Sequence, residues 1–205
     1  MQAEKLPMST IEFEPSGHVY TLNGRRLPSV TQIMEPMSLM LYKDVPPDVM
    51  MAAADRGTRA HEQVSNLVRY GILEMDGDTE PYLNAYRKFA EDYAPKWIES
   101  EYRTFHRTLM YAGTLDLTGY VEPDDDTGVD VVDIKTTREF HPMMLKTQLA
   151  GYTEALKSHG IKIRSRYGLQ LLRDGTYRFE RVEDGYKLFL HCLAIFNEMQ
   201  KEKKA

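Results

Sequence analysis

Two aspartates and a lysine carry the chemistry that this chain offers most plainly. Asp133-Ile134-Lys135 closes the apolar-alternating run Val129-Asp130-Val131-Val132, and Asp116 ends the run Tyr111-Ala112-Gly113-Thr114-Leu115. Two carboxylates and an ammonium at the ends of neighbouring strands point to a metal-dependent phosphodiesterase. A phosphodiester transition state gathers negative charge on its oxygens, so its site needs a divalent cation and an ammonium there, and acids to hold the cation. Asp116 and Asp133 supply the acids; Lys135 supplies the ammonium. An Asp-x-Lys triplet alone is weak evidence, because strand ends often carry solvated charges. Its company adds weight: Arg56-Gly57-Thr58-Arg59-Ala60-His61-Glu62 lies upstream and Gln148-Leu149-Ala150-Gly151-Tyr152 downstream, both on predicted helices.

Each of these residues has a plainer reading beside the chemical one. Strand alternation sets Leu115, Leu117 and Gly119 against Thr114, Asp116 and Thr118, so Asp116 is expected to share a face with two hydroxyls, as in any solvated polar stripe. Asp133, between Val132 and Ile134, is expected to be partly buried, and a buried acid is costly unless paired or metal-bound. Asp133 and Lys135 point to one face and Ile134 to the other, with the Ile134 carbonyl still able to reach a metal. Gln148 and Tyr152, four residues apart, stack on one helix face. His61 sits mid-helix, where a lone histidine is more often a satisfied core or surface residue than a ligand. Arg56, Arg59, Arg138 and Lys146 flank the motifs as candidate phosphate contacts, although each alone reads as an ordinary surface cation.

The elements that must position these side chains follow from turn and cap signals. A small hairpin is predicted over 11–13, 19–22 and 25–27, turned at Asn23-Gly24. Ser29-Val30-Thr31-Gln32 reads as a capping box opening a short helix that Pro36 ends. A longer helix carrying His61 is predicted from about Asp48 to Tyr70, stopping near Gly71, and another from about Pro81 to Ile98. On the latter, Tyr82, Tyr86, Tyr93 and Trp97 recur at core spacing and read as packing. Strands are expected at 102–108, 111–121 and 129–135, then a helix at 142–158, strands at 165–172 and 176–182 joined at Asp174-Gly175, and a last helix at 184–201. This order predicts an α/β fold, a central mixed β-sheet flanked by helices, with a small N-terminal β-hairpin.

Read in order, His61, Gly113-Thr114-Leu115-Asp116, Asp133-Ile134-Lys135, Gln148 and Tyr152 form a series that resembles the PD-(D/E)XK nuclease superfamily, in the branch that holds the RecB nuclease domain and phage recombination exonucleases. The resemblance covers roughly Arg56 to Tyr152. His18-Val19-Tyr20 with Pro28-Ser29-Val30-Thr31 looks like the opening of phage exonucleases of this kind, similar to lambda exonuclease. Leu115 stands where the eponymous proline would be and the second acid is aspartate, both usual variants in that branch. The resemblance implies a restriction-endonuclease-like core and a Mg²⁺- or Mn²⁺-dependent DNA exonuclease acting through metal-activated water, with 5′-to-3′ polarity favoured. It further implies that Asp116, Asp133 and the Ile134 carbonyl hold the metal with His61, that Lys135 positions or activates the water, and that Gln148 and Tyr152 lie against the site. Imidazole in the shell would favour Mn²⁺. Glu101 precedes Ala112-Gly113-Thr114 at the spacing where relatives carry an acid, which makes it a supporting acid or a plain charge at a strand start. Expected partners are DNA, a single-strand annealing protein and further copies of the chain in a trimeric ring. A structure-specific or single-strand endonuclease with the same site, a catalytically silent DNA-binding relative, and a hydrolase of small phosphorylated molecules remain open.

Composition bounds the rest. At 205 residues, 42% apolar and 28% charged, the chain is expected to be one ordinary globular domain, with an N-terminal part over 1–45, a catalytic core over 46–183 and a C-terminal helix over 184–205. Cys192 is the only cysteine, which excludes a four-cysteine iron–sulfur cluster, a cysteine zinc site and an internal disulfide. No apolar run approaches a membrane span, Met1-Gln2-Ala3-Glu4-Lys5 precedes no signal core, and the expected place is the cytosol. The net charge of −5 runs against a uniformly basic nucleic-acid binder. The acids, however, cluster at Glu74-Met75-Asp76-Gly77-Asp78 and Asp124-Asp125-Asp126, which read as solvated loops without calcium-loop spacing.

Overall fold

The computed structural model describes residue 6 and residues 10–122, 127–139 and 141–203. The Asp124-Asp125-Asp126 run and the Met1–Lys5 start therefore lie outside the described residues. In chain order the elements are β1 (Glu12–Glu14), β2 (Val19–Leu22), β3 (Arg25–Leu27), α1 (Val30–Ile33), α2 (Glu35–Leu41), α3 (Pro47–Tyr70) and α4 (Glu80–Tyr93). They continue with β4 (Lys96–Phe105), β5 (Ala112–Tyr120), β6 (Val129–Lys135), α5 (Pro142–Ser158), β7 (Ile163–Leu171), β8 (Tyr177–Arg181) and α6 (Tyr186–Glu202).

The main sheet runs β4-β5-β6-β7-β8. Every neighbouring pair is antiparallel except β6 and β7, which are parallel because α5 carries the chain back between them. One apolar core, with Val30, Leu149, Leu156 and Phe189, lies where α1, α5 and α6 pack on the sheet. The other, with Val64, Leu83 and Phe89, lies under α3 and α4. Along β6 the alternation holds: Val131 joins the first core, Val132 and Ile134 the second. The α/β class with a central mixed sheet flanked by helices is the observed architecture. The smaller sheet, β1-β2-β3, is tied to β5 by the Ala112 N–H, which donates to the Pro28 carbonyl at 2.9 Å.

Local signals explain most boundaries. Asn23 and Gly24 both take positive φ, 50° and 77°, as a two-residue hairpin turn of the primed type requires. Ser29 and Gln32 form the expected capping box on α1. Pro36, expected to end that helix, instead sits in the first turn of α2, where a missing N–H removes no intrahelical bond. Gly71, at φ 68°, closes α3 in the left-handed cap. The predicted helix to Ile98 is corrected to one ending at Tyr93. Ala94 turns left-handed and Pro95 follows, so Trp97 belongs to β4. Trp97 still packs with the helix aromatics, donating from Nε1 to Tyr86 Oη at 2.9 Å. No helix among the described residues is long and apolar enough to cross a membrane.

Candidate active site

The main sheet comes apart where the acids are. The β4–β5 ladder pairs Ser100 with Leu117 and Tyr102 with Leu115, setting Glu101 opposite Asp116. Glu101 takes φ 51° in the middle of its strand, a conformation a non-glycine residue holds only where its surroundings impose it. The β5–β6 ladder stops at Leu117 and Val132, one step before Asp116 and Asp133 would face each other. In place of a backbone partner, the Ile134 N–H donates to Asp116 Oδ2 at 2.6 Å. The simple alternation expected for β5 is thereby broken, since Leu115 packs in one core and Leu117 in the other. Asp116 sits in the splay between strands, not on a polar stripe.

His61 reaches this point from α3. Its Nδ1 lies 3.2 Å from Asp116 Oδ1. Among the described residues, His61, Glu101 and Asp116 form the single group whose imidazole and carboxylate atoms could share an ion, all within 4.8 Å of one another. Burial, reinforced by the Asp116 carboxylate, pushes the Glu101 carboxyl up to about 7. Burial also acts to raise Asp116, but the His61 imidazole, Lys135 and the Ile134 N–H outweigh it and hold Asp116 below the usual carboxylate range. For His61, burial acts downward and the Asp116 charge more than offsets it, leaving the imidazole raised. Crowded half-buried acids of this kind fit a divalent cation, which would neutralise the charge that now forces Glu101 toward its protonated form. Two carboxylates and one imidazole are a donor set that Mg²⁺ tolerates and Mn²⁺ suits better.

A second set of side chains runs from β6 to α5. Lys135 Nζ lies 2.7 Å from Asp133 Oδ2 and donates to Gln148 Oε1 at 2.9 Å, and Gln148 Nε2 donates to Tyr152 Oη at 3.1 Å. The Lys135–Asp133 contact is close but poorly aligned, so buried Asp133 Oδ2 has no well-directed donor. Burial therefore lifts Asp133 to about 6 despite the ammonium beside it. Burial acts to lower Lys135, but Asp133 and Asp116 keep its pKa above the ordinary lysine value, so the group is a fixed cation at neutral pH. The Tyr152 ring packs on the bare backbone of Gly113, where a Cβ would stand 2.5 Å from ring Cε1. That close approach explains a glycine three residues before Asp116.

The structure thus brings His61, Glu101 and Asp116 together as one cluster and Asp133, Lys135, Gln148 and Tyr152 as a chain of contacts beside it. Ile134 meets Asp116 through its N–H. The four flanking cations separate. Arg59 is occupied by Asp55, Asp76 and Asp78 at 3.2, 2.7 and 3.3 Å. Asp76, expected in a solvated loop, is instead a staple, since its Oδ1 accepts the Asp78 and Thr79 N–H groups ahead of α4. Lys146 lies two residues before Gln148, a spacing that does not share a helix face. Arg56 and Arg138 have no ion-pair partner among the described residues. Tyr42, which the sequence reading passed over, packs edge-on against His141 at 5.0 Å, close enough to Lys135 for the ammonium to oppose its burial-raised pKa. No local signal marks it, since the predicted helix ends at Pro36 and α2, which Tyr42 caps, lies beyond it.

No family model matches the chain, and no curated protein matches it. Among solved structures, an alkaline exonuclease from Laribacter hongkongensis is similar at 11% identity and a TM-score of 0.43, over 71% of this chain and 80% of that one. Its complex with dAMP aligns at 14% identity and a TM-score of 0.40, over 86% and 89%. A protein designated SSO0001 aligns at 12% and 0.45, over 88% and 79%. At these scores the chemistry has to be argued from the side chains themselves.

Proposed function

We propose that the chain is a Mg²⁺- or Mn²⁺-dependent deoxyribonuclease, acting as one nuclease domain and hydrolysing DNA from an end in phage-type recombination or repair. The observation that carries this reading is the apposition of the His61–Glu101–Asp116 cluster with a lysine held between Asp133 and Gln148. A divalent cation in that cluster would supply Lewis acidity to the phosphodiester and lower the pKa of a bound water. His61, Glu101 and Asp116 would hold it, with Asp133 and the Ile134 carbonyl as further oxygen donors. Lys135, cationic at neutral pH, stabilises charge on the phosphoryl oxygens and orients the attacking water. Gln148 fixes the lysine ammonium and is itself steadied by Tyr152. Proton acceptance from the attacking water would fall to Asp133, the carboxylate beside Lys135. A single-strand annealing protein and a trimeric ring of copies complete the proposed setting, with 5′-to-3′ polarity.

The test is digestion of an end-labelled linear duplex and a closed circular duplex with Mg²⁺, Mn²⁺ or EDTA. Degradation of the linear DNA alone, and only with metal, is expected. Cutting of the circle would replace the exonuclease by an endonuclease with the same site. Binding without hydrolysis of any duplex or single-stranded substrate would replace both by a silent DNA-binding protein.

A further inference from the structure

Beyond Lys135 the chain leaves β6 through Thr136, Thr137 and Arg138 and forms one wall of a cleft of about 540 Å³. The facing wall comes from Arg56 on α3, Tyr82 on α4 and Arg173 after β7. A smaller recess of about 290 Å³ adjoins it through the same Arg56 and Arg173. Three arginines therefore line one space, and none has a carboxylate within ion-pair distance among the described residues. The two acids that line these recesses are otherwise occupied. Asp174, at the rim, accepts from Thr176 N and Oγ1 at 2.9 and 2.6 Å, and Asp78 of the smaller recess faces Arg59 at 3.3 Å.

Two of the arginines, Arg56 and Arg173, are held in place by one tyrosine. Tyr82 is 1% exposed, with the Arg56 guanidinium 6.0 Å from its ring centroid and its hydroxyl accepting from Arg173 Nε at 3.2 Å. Arg56 Nε is buried without a hydrogen-bond partner, an unmet donor whose cost needs a reason. Gly57 brings α3 close to the strand end, where a Cβ on it would lie 3.3 Å from Thr136 Oγ1. One tyrosine thus steadies two guanidinium groups, and the third follows Lys135 by three residues. Arginine forks of this sort, pre-positioned and unneutralised, suit phosphate oxygens.

We propose that Arg56, Arg138 and Arg173 form a docking cleft for non-scissile phosphates of the DNA strand held at His61, Glu101 and Asp116. This rests on the nuclease reading above. Three residues of extended chain span at most about 11 Å, and phosphates on one strand recur about every 3.4 Å along a duplex axis. The cleft therefore receives phosphates about one to three nucleotides from the cut. It gives an acidic protein the local basic track that its net charge of −5 conceals. Arg59, closed off by three carboxylates, takes no part.

The experiment measures binding of a fluorescent linear duplex in EDTA across a salt series. It compares the unmutated protein, Arg138→Gln/Arg173→Gln, and Arg181→Gln, which removes one charge from β8 outside the cleft. The double variant is expected to bind roughly tenfold or more weakly at low salt, with the slope of log affinity against log salt reduced by about 2. With metal, its defect should appear in KM. Arg181→Gln should keep the unmutated slope. A double variant with unmutated affinity and slope overturns the cleft, as does an equal loss from Arg181→Gln, which would make the effect one of overall charge. If the unmutated protein binds DNA through these arginines and cuts none, the nuclease reading fails and the cleft stands. If it binds no DNA, both fail.

Discussion

Asp130 and Asp133 stand three residues apart on β6, both buried, both beside a cation, and the protein treats them oppositely. Asp130 is wholly enclosed and answered on both oxygens: Arg164 Nε donates to Oδ1 at 2.9 Å, and Oδ2 accepts the Val121 N–H at 2.9 Å and Arg164 Nη2. Arg164 is anchored in turn on the Glu122 carbonyl at 2.6 Å. Asp133 has one ammonium, close but poorly aligned, and a neighbouring carboxylate at Asp116 that works against its charge. A buried acid with well-directed donors on both oxygens is a structural rivet; one left under-satisfied stores a readiness to bind a cation or a proton. The difference tracks the sheet. Asp130 is still paired across the β5–β6 ladder, opposite Gly119, and by Asp133 the ladder has opened.

Several substitutions would break or sharpen that contrast. Lys135→Ala should cut metal-dependent DNA cleavage by at least about 10³-fold, because it removes the cation facing the developing charge. Circular dichroism of this variant should match the unmutated protein, with a lower Tm because Asp133 loses the ammonium beside it. Arg164→Leu acts at the other aspartate and strands a buried carboxylate, which should cost about 3–5 kcal/mol. At about 2–4 °C per kcal/mol for a chain of this length, that is a fall in Tm of about 6–20 °C by calorimetry. Cleavage per folded molecule should be retained.

A smaller effect follows from pH. Glu101 at about 7, Asp133 at about 6 and His61 above its ordinary value all bind protons more tightly in the folded state than in the unfolded one. Their contribution to stability is present at low pH and is lost as pH rises through those folded values. Depressed Asp116 acts in the opposite sense, with stability lost as pH falls through its low folded value. The metal-free protein should therefore melt several degrees lower at pH 8 than at pH 5.5 by scanning calorimetry, and added Mn²⁺ should abolish most of the difference. Least of all, Gln148→Ala should slow cleavage by about 10–100-fold through loss of lysine positioning. The decrease should appear in kcat, while Gln148→Glu, which still accepts from Lys135, should recover part of it.

Local signals made much of the fold legible. The capping box, the Asn23-Gly24 turn, Gly71 and the α5 span from Pro142 to Ser158 stand where the sequence reading puts them. Trp97 misled because Tyr82, Tyr86, Phe89, Tyr93 and Trp97 keep a helical spacing past the true end of α4. The aromatic cluster is real, but its last member arrives on a strand. The site was legible as a set of residue types and less so as an arrangement. Glu101 becomes an equal member of the cluster through a strand register and a positive φ that no local motif announces. Asp130 was passed over as part of an apolar run because its partner, Arg164, is 34 residues away and only the parallel β6–β7 pairing brings the two together.

The most direct test pairs the two aspartates. Asp133→Asn and Asp130→Asn are compared for Tm in the metal-free state and for cleavage of an end-labelled duplex with Mn²⁺. Asp133→Asn should keep or raise the Tm and lose cleavage, whereas Asp130→Asn should lose several degrees of Tm and keep cleavage in the molecules that remain folded. If Asp133→Asn cuts DNA at the unmutated rate, or if both variants lose stability and activity together, the division between a riveting and a working aspartate on β6 is wrong.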